Sequence, residues 1–262
     1  MRIGFIGCGN MATAIIKGII NNSDINCSDI LIFDTYKPAM DKLENKYGVS
    51  PCGTIEMLVC NSDVVFLAVK PNVIADVLNQ VVAADTLIIS IAAGKTLEFL
   101  GNNIKSDAAR IVRVMPNINA TVGEAICAYC CNEFVTDNDI KTVEMLLSCF
   151  GKCLPINEEL FSIYSAIGGC APAFAYMFID NLARAGVKNG MKKDEALKIA
   201  AQTVYGSAKM ILENDEHPWK LVDNVCSPGG TTIEGVTSLQ ADGFEAAVQN
   251  AVQKAFEKDK QL

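Results

Sequence analysis

The chain has 262 residues, 50% of them hydrophobic and 20% charged, which is enough for one large domain or two ordinary ones around a real core. With 22 Lys and Arg against 30 Asp and Glu, its net charge of −8 argues against a nucleic-acid partner. Its longest apolar runs, 64–69 and 87–93, are too short to span a bilayer, and its N-terminus predicts a strand rather than an export signal. We therefore expect a cytoplasmic protein without a membrane partner.

Eleven cysteines are spread along this sequence. Without an export signal we interpret them as reduced thiols that pack as small apolar residues, and Cys60, Cys127 and Cys149 lie in apolar stretches. The best candidate for a metal site is the run from Cys127 to Cys131, which lacks a second Cys-x-x-Cys pair. We therefore expect no metal.

The first 150 or so residues alternate between predicted strands and helices. The strands are continuous apolar, β-branched runs, as expected for parallel strands covered on both faces. This alternation predicts an α/β domain with a Rossmann-type doubly wound sheet. The predicted strands are 2–7, 30–34, 64–69, 86–93 and 110–115, the predicted helices are 11–20, 38–47 and 71–82, and strands at 124–130 and 152–156 flank a helix at 137–150.

From about residue 158 the pattern becomes helical. Apolar residues at helical spacing predict helices over 173–186, 194–212 and 243–258. Small residues dominate the apolar faces, which indicates close helix approach. We therefore expect a Rossmann-type NAD(P)-binding domain over 1–155 and an all-α domain over 156–262.

A glycine-rich motif follows the first predicted strand and opens the first helix. Gly7 permits a tight turn, Gly9 permits the approach of a pyrophosphate, and Ala12 permits close packing of strand and helix. The helix N-terminus offers N–H groups and a positive dipole to phosphates. Together with an acidic residue closing the second strand, Asp34, this motif predicts dinucleotide binding.

Asp34 bears on the choice of cofactor. A carboxylate at this position can accept hydrogen bonds from the ribose hydroxyls of NADH and repels a 2′-phosphate. Thr35 and Lys37 follow directly and could receive that phosphate, so NADPH stays open. The loops that follow the third and fourth strands, 68–71 and 90–94, are expected to border the cofactor, because ligands bind at the carboxyl ends of parallel strands.

The sequence lacks an obvious acid–base group. Its one histidine, His217, lies in a polar stretch before Pro218, which favours a helix end or surface position over a catalytic base. A substrate that already carries its proton would need none. A protonated cyclic imine is such a substrate, since its C=N carbon is electrophilic and requires orientation more than acid catalysis.

Seven segments, in order over nearly the whole chain, carry a resemblance to a known family: IGFIGCGNMATAI, LAVKP, SIAAG, RVMPN, AAQTVYGSAKMIL, DNVCSPGGTTIEGV and GFEAAVQNAV. The sequence resembles the pyrroline-5-carboxylate reductases. The resemblance implies NAD(P)H-dependent reduction of 1-pyrroline-5-carboxylate to L-proline, the last step of proline biosynthesis. It also implies a helical dimerisation and substrate-binding domain that interlocks with a partner subunit in a homodimer, and larger rings of dimers occur in the family.

The resemblance further implies the site residues. Thr232 is the implied catalytic residue, because its hydroxyl hydrogen-bonds the ring nitrogen while neighbouring N–H groups hold the carboxylate. The implied substrate-binding residues are Asp215, Ser227, Gly229, Gly230, Thr231 and Thr232. The implied cofactor-binding residues are Ile6, Gly7, Cys8, Gly9, Asn10, Met11, Ala68, Val69, Lys70, Pro71, Ala92, Ala93, Gly94, Met115, Pro116, Asn117 and Asn224, besides Asp34.

The chain departs from the family pattern at two places. Asn119 stands where the family usually has a proline. The family's Ser-Gly-Ser-Gly-Pro segment appears here as Gly168-Gly169-Cys170-Ala171-Pro172, so a serine contact at 168 or 170 is lost or replaced by backbone. These departures put the role of that segment's side chains, and with it the substrate affinity, in question.

Three alternatives remain at this stage. One is a reductase of a related cyclic imine. Another is a β-hydroxyacid reductase, which needs a catalytic lysine on the first C-terminal helix, whereas Lys188 and Lys192 lie late in that helix or beyond it. The third is a regulator that senses NAD(P)H without turnover. The hydroxyl-rich loop at 226–232 argues against it, because a sensor has no need of a pocket for a second ligand.

Overall fold

The computed structural model describes residues 1–82 and 85–261, which form two compact units. The first comprises Met1–Gly169 and the end of the chain from Phe256, and the second comprises Cys170–Ala255. The expected functional border near residue 155 stays a prediction.

The first unit alternates strands and helices as the sequence pattern predicts. Short 3₁₀ turns at Cys27–Asp29, Ile118–Val122 and Glu158–Leu160 and a π-helical turn at Ser165–Cys170 complete it. Its elements in chain order are β1 (Ile3–Ile6), α1 (Asn10–Asn22), β2 (Ile30–Phe33), α2 (Lys37–Tyr47), β3 (Ser50–Pro51), α3 (Ile55–Cys60), β4 (Val64–Leu67), α4 (Ile74–Leu78), β5 (Leu87–Ser90), α5 (Leu97–Asn103), β6 (Ile111–Met115), β7 (Ala125–Cys131), α6 (Asp137–Ser148), β8 (Gly151–Pro155) and α7 (Phe161–Tyr164).

The strands form one sheet in the order β3-β2-β1-β4-β5-β6-β7-β8. Every neighbouring pair is parallel except β6 and β7, which are antiparallel. The chain builds the sheet outward from β1 in one direction and then from β4 in the other, so the topological switch point lies between β1 and β4. The prediction of a doubly wound sheet is confirmed.

The core has two layers, one on each face of the sheet. Ile3 and Phe5 of β1 join the layer under α1, while Ile6 joins the layer under α3, α4 and α5. Phe5 stacks on Phe66 of β4 with ring centroids 4.8 Å apart. Burial on both faces explains why the strands are continuously apolar. On α1, Ile15, Ile16 and Ile19 are fully buried.

The sequence pattern missed the short elements. Strand β3 and helices α3 and α5 are too short for a periodic signal, although Thr54 and Thr96 cap α3 and α5 by accepting from the third amide beyond them. The helix predicted over 71–82 is shorter, because α4 begins at Ile74 after a turn in which the Val73 amide donates to the Lys70 carbonyl.

The second unit consists of α8 (Ala171–Lys188), α9 (Lys193–Glu213), α10 (Pro218–Val225), α11 (Thr231–Ala241) and α12 (Phe244–Asp259), whose last turn belongs to the first unit. The three predicted helices are present, whereas α10 and α11 were missed. Helices α8 and α9 pack through Ala183, Ala196 and Ala200. A Cβ atom at Gly186 would lie 3.2 Å from that of Ala196, so small residues do permit the close approach of these helices.

The helical unit leaves many large apolar side chains exposed. Met177 is 66% exposed and Leu212 is 86% exposed, and Tyr176, Tyr205 and Trp219 are also open to solvent. An apolar surface of this kind is typical of an interface. By length and composition alone, the run Glu158–Lys188 could also cross a membrane, and only 17% of its apolar window is buried.

Two helical glycines test how tightly the first unit is packed. A Cβ atom at Gly18 of α1 would lie 2.6 Å from the Phe150 Cβ, whereas one at Gly101 of α5 meets nothing closer than an Ile111 methyl group at 3.9 Å. We expect Gly18→Ala to lower the free energy of unfolding by about 1–3 kcal/mol through overpacking. Gly101→Ala should raise it by about 0.4–1 kcal/mol, because alanine restricts the unfolded chain. Urea unfolding of both variants measures the difference, and equal destabilisation would contradict this packing.

Candidate functional site

The turn after β1 requires a glycine at its first position. Gly7 has a φ angle of +101°, and a Cβ atom there would lie 2.5 Å from the Ala68 carbonyl oxygen. The Gly7 amide donates to the Phe33 carbonyl at 2.8 Å. The backbone of this turn therefore lies against the ends of both neighbouring strands, β2 and β4.

Gly9 leaves open space at the start of α1. It is the N-cap of that helix, offers no side chain to cap it, and has no atom within 4 Å of the place where a Cβ would stand. The first turn of α1 holds no acidic side chain. Uncapped amides and the positive end of the helix dipole then face free space, which is the arrangement that binds a phosphate.

The predicted cofactor residues of the first unit lie at the carboxyl ends of parallel strands. Ile6 to Met11 follow or end β1, Asp34 follows β2, Ala68 to Pro71 follow β4, Ala92 to Gly94 follow β5, and Met115 to Asn117 end or follow β6. The parallel register places all five groups at one edge of the sheet, on both sides of its switch point. This edge is the expected position of a dinucleotide in an open α/β sheet.

Asp34 holds the glycine-rich turn in place and lies at this same edge of the sheet. Its two carboxylate oxygens accept the backbone amides of Cys8 at 2.7 Å and of Tyr36 at 2.8 Å. Burial, and then the nearby Asp34 charge, raises the pKa of the Cys8 thiol to about 12. The thiol therefore stays protonated at neutral pH and packs as an apolar group.

A small cavity lies beside Gly7 and Asp34. Its volume is about 260 Å³, and apolar side chains such as Val69 and Val73 line most of it. Asp34 and Asp76 are its charged lining groups, and no lysine or arginine lines it among the described residues. Apolar walls with a carboxylate at the edge suit an adenosine, and two carboxylates oppose a further phosphate.

Asn117, one of the expected cofactor residues, has a buried side chain. It is 5% exposed, and its side-chain amide donates to the Gly168 carbonyl at 2.9 Å while its side-chain oxygen accepts the Asn119 amide at 3.2 Å. Both polar atoms of this side chain therefore have partners within the protein.

The sequence analysis did not predict a charged cluster in the first unit. Arg113 of β6 is 7% exposed, donates to Glu158 at 2.9 Å and lies 4.3 Å from the centre of the Phe161 ring. The same Glu158 oxygen accepts the Leu97 amide at 2.8 Å. A charge within the otherwise apolar strand IVRVM was the available signal, because a buried charge requires a partner.

The predicted substrate residues lie in the second unit. Asp215 is exposed in the link between α9 and α10, and Asn224 of α10 donates to Glu216 in that link at 3.3 Å. His217 caps α10, and its Nδ1 accepts the Trp219 amide at 3.3 Å. It therefore occupies the helix end favoured by the sequence.

The hydroxyl-rich stretch divides into a turn and a helix start. Ser227 to Gly230 form a turn in which the Gly230 amide donates to the Ser227 carbonyl at 3.0 Å, and Gly229 has a φ of +66°. Thr231 and Thr232 begin α11, with Gly230 as an N-cap that offers no side chain. The sequence predicts a loop over the whole run 226–232, so the loop is two residues shorter than expected, and the two threonines lie at the positive end of a helix dipole.

Among the described residues, the eleven cysteines are unpaired. Cys127 and Cys149 are buried as expected, whereas Cys60 is exposed, which corrects the expectation for that residue. It ends α3, where the apolar stretch around it supplies the buried residues Leu58 and Val59 instead.

A doubly wound sheet with an uncapped helix at a glycine turn defines a dinucleotide-dependent oxidoreductase. Two family models match the chain: "NADP oxidoreductase coenzyme F420-dependent" over residues 2–94 and "Pyrroline-5-carboxylate reductase dimerisation" over residues 158–262. The pyrroline-5-carboxylate reductase of Escherichia coli is 40% identical over 100% of this chain and 98% of that protein. The one from Methanosarcina acetivorans is 38% identical over 100% of this chain and 97% of its own.

Solved structures agree with the sequences. The Plasmodium falciparum pyrroline carboxylate reductase with NADP bound is 34% identical, with a TM-score of 0.89 over 100% of this chain and 97% of that chain. The Streptococcus pyogenes enzyme is 34% identical, with a TM-score of 0.90 over 100% of this chain and 99% of that chain. The chain belongs to the pyrroline-5-carboxylate reductase family.

Membership accounts for the apolar surface of the helical unit. The dimerisation model covers both that unit and the apolar run from Glu158 to Lys188. The protein is therefore an oligomer, and an interface between subunits explains the exposed side chains of these helices.

The two glycines of the turn separate folding from cofactor binding. Gly7→Ala should lower the free energy of unfolding by about 1–3 kcal/mol, because a Cβ atom meets the Ala68 carbonyl and φ is positive. Gly9→Ala should leave unfolding unchanged but weaken NADH binding roughly tenfold, because the new methyl group occupies the open space at the helix start. Fluorescence titration with NADH measures the affinity. Unchanged affinity in Gly9→Ala would show that the phosphates lie elsewhere.

Proposed function

We propose that this protein reduces 1-pyrroline-5-carboxylate to L-proline with NADH or NADPH, the last step of proline biosynthesis, in the cytoplasm. The observation that carries the proposal is full-length similarity to reductases of that name, 40% identical across both the sheet unit and the helical unit. The cofactor edge of the first unit and the uncapped helix start at Thr231 support it.

The chemistry needs few side chains. When bound, NAD(P)H would supply a hydride to the C=N carbon of the protonated ring imine, and the electron pair of the C=N bond would stay on nitrogen as the amine of proline. No group of the protein has to deliver a proton in that step, which agrees with a chain whose one histidine caps a helix. The protein's task is to orient the ring against the nicotinamide.

In this proposal the residues divide into two groups. Ile6 to Met11 bind the pyrophosphate, Asp34 binds the adenosine ribose, and the loops after β4, β5 and β6 contact the rest of the cofactor, with Asn224 reaching it from the helical domain. Thr232 hydrogen-bonds the ring nitrogen, and Asp215 borders the substrate.

The start of α11 suits the substrate's carboxylate. Gly230 caps this helix without a side chain, so the amides that follow it remain available to an anion. The helix dipole adds attraction for a negative charge at that end. Ser227, Gly229 and Thr231 complete the proposed carboxylate-binding turn.

We further propose that the functional domains divide near residue 155 and that dimers assemble into a larger ring. The exposed apolar residues of α8 and α9 support extensive contact between subunits. Light scattering coupled to size-exclusion chromatography gives the mass, and a dimer that does not associate further would exclude the ring.

Turnover tests the function directly. Purified protein should oxidise NADH or NADPH only after 1-pyrroline-5-carboxylate is added, and the absence of turnover with both cofactors would overturn the proposal. A six-membered cyclic imine, tested in the same assay, and small β-hydroxyacids, tested with NAD or NADP as the hydride acceptor, address the other reductase activities. Nucleotide binding without turnover of any of these compounds would indicate a sensor.

Thr232 is tested against a threonine of the same helix. Thr232→Ala should lower kcat/KM roughly 10- to 150-fold, because a hydrogen bond to a charged group contributes about 1.5–3 kcal/mol. Thr237→Ala is the control, since the Thr237 hydroxyl donates to carbonyls of its own helix. Equal kcat/KM values for Thr232→Ala and the unmodified protein would remove Thr232 from the mechanism.

Asp34 and Asp76 favour NADH over NADPH, because both line the cavity proposed for adenosine. Asp34→Asn keeps one oxygen that can accept a backbone amide but loses the charge, and it should raise the ratio of kcat/KM for NADPH to that for NADH about tenfold or more. Asp34→Ala should raise the same ratio and also weaken both cofactors, since it releases the Cys8 amide. A ratio that does not change in either variant would contradict a discriminating role.

A further inference from the structure

The loop after β6 and the π-helical turn before α8 are joined by one chain of hydrogen bonds and packing. We name it the amide strut, and its residues are Asn119, Asn117, Gly168 and Tyr164. The Asn119 amide donates to the Asn117 side-chain oxygen, and the Asn117 side-chain nitrogen donates to the Gly168 carbonyl. The Tyr164 hydroxyl donates to the Ile126 carbonyl of β7 at 2.7 Å.

We propose that the amide strut makes Asn117 a positioning residue for the reduction rather than a cofactor ligand. It holds the loop at the end of β6, next to the proposed nicotinamide position, against the π turn. This inference rests on the proposed function, since the consequence of a misplaced loop is read from turnover.

Asn117 makes a hydrogen bond to the loop after β6 and another to the π turn. It is the N-cap of the 3₁₀ turn Ile118–Val122, so its side-chain oxygen is held by an amide of that turn. That bond fixes the orientation of the side chain and directs its nitrogen to Gly168. A proline at 119 has no N–H to donate, so this arrangement requires a residue other than proline at that position.

Gly168 and Tyr164 complete the other end. A Cβ atom at Gly168 would lie 2.7 Å from the Tyr164 Cζ and 2.9 Å from its hydroxyl oxygen. The tyrosine ring therefore fills the space that a side chain at 168 would need. A side chain at 168, including the serine that the family pattern places there, therefore requires Tyr164 or the turn to move.

The π turn gives the strut its significance. Ser165–Cys170 is a π-helical segment, and such segments are frequent at functional sites. Because a π turn breaks the regular bonding of a helix, its backbone needs partners from elsewhere. Asn117 supplies one of them, and the carbonyl it binds is in a buried residue.

Asn117→Asp tests the proposal, because it removes the donor to Gly168 and keeps the shape of the side chain. We expect kcat to fall about 10- to 100-fold, since displacement by an ångström is enough for such a loss, while the dissociation constant of NADH changes less than about threefold. Amide hydrogen exchange over residues 165–170 should become faster in the same variant.

Asn132→Asp is the matched control. Asn132 also donates to a carbonyl, that of Ala109 at 2.8 Å, and accepts an amide, that of Ile111 at 3.1 Å, but at the opposite end of β6. It should lose thermal stability and keep its kcat. An equal loss of kcat in both variants would reduce Asn117 to a structural role and overturn the proposal.

A second pair of variants keeps the test decisive if Asn117→Asp does not fold. Gly168→Ser should lower kcat, because the serine displaces the turn from Tyr164, whereas Gly169→Ser should keep kcat within about threefold of the unmodified protein, because a Cβ atom at Gly169 meets nothing closer than the Ser165 hydroxyl at 3.7 Å. An equal loss of kcat in both serine variants would contradict the strut.

Turnover of the unmodified protein separates this inference from the proposed function. If that protein reduces 1-pyrroline-5-carboxylate and Asn117→Asp does so at the same kcat, only the strut is wrong. If the unmodified protein shows no turnover, the positioning role is lost with the function. Hydrogen exchange over 165–170 then still decides whether Asn117 holds the π turn.

Discussion

The edge of the sheet that is expected to bind the dinucleotide depends on one contact, that of the Gly7 backbone with the strand ends beside it. Gly7 donates to Phe33 of β2, and its α-carbon lies so close to the Ala68 carbonyl after β4 that no side chain fits. Asp34 then fixes the next residue of the turn by accepting its amide. With the turn held in this way, α1 starts at Gly9 and its free amides face the crevice. The turn offers backbone amides to a ligand, so it needs no reactive side chain.

The helical unit also offers backbone amides rather than charged side chains. Its helix start at Gly230 has no side-chain cap, as the start of α1 has none in the sheet unit, so amides at both ends are available to an anion. A dinucleotide and an amino-acid precursor both carry negative groups, and a helix N-terminus attracts them without a formal charge. This explains how an acidic chain of net charge −8 can bind anionic ligands.

The sequence predicts what is periodic or close in sequence. The continuous strands, the glycine turn and the apolar stripe on α1 all follow from patterns within a few residues. Helix α11 was missed because its first turn lies within a run rich in glycine and hydroxyls, where no apolar period begins. Contacts between distant residues have no such signal: Arg113 and Glu158 are 45 positions apart, and Asn117 and Gly168 are 51. Their partners are fixed by the topology of the sheet, which periodicity does not encode.

The helical unit buries few apolar residues on its own, and this links the association of subunits to catalysis. Of its residues 170–255, all described by the structure, only Ala183, Ala196 and Ala200 are buried apolar residues. Three alanines supply a small fraction of the hydrophobic stabilisation that a unit of this size needs, since burial contributes in proportion to apolar area. The proposed substrate residues are carried by helices whose packing must be completed by a partner subunit. Dilution that separates subunits therefore removes the scaffold of Thr232 along with the interface, because folding and assembly share the same buried surface.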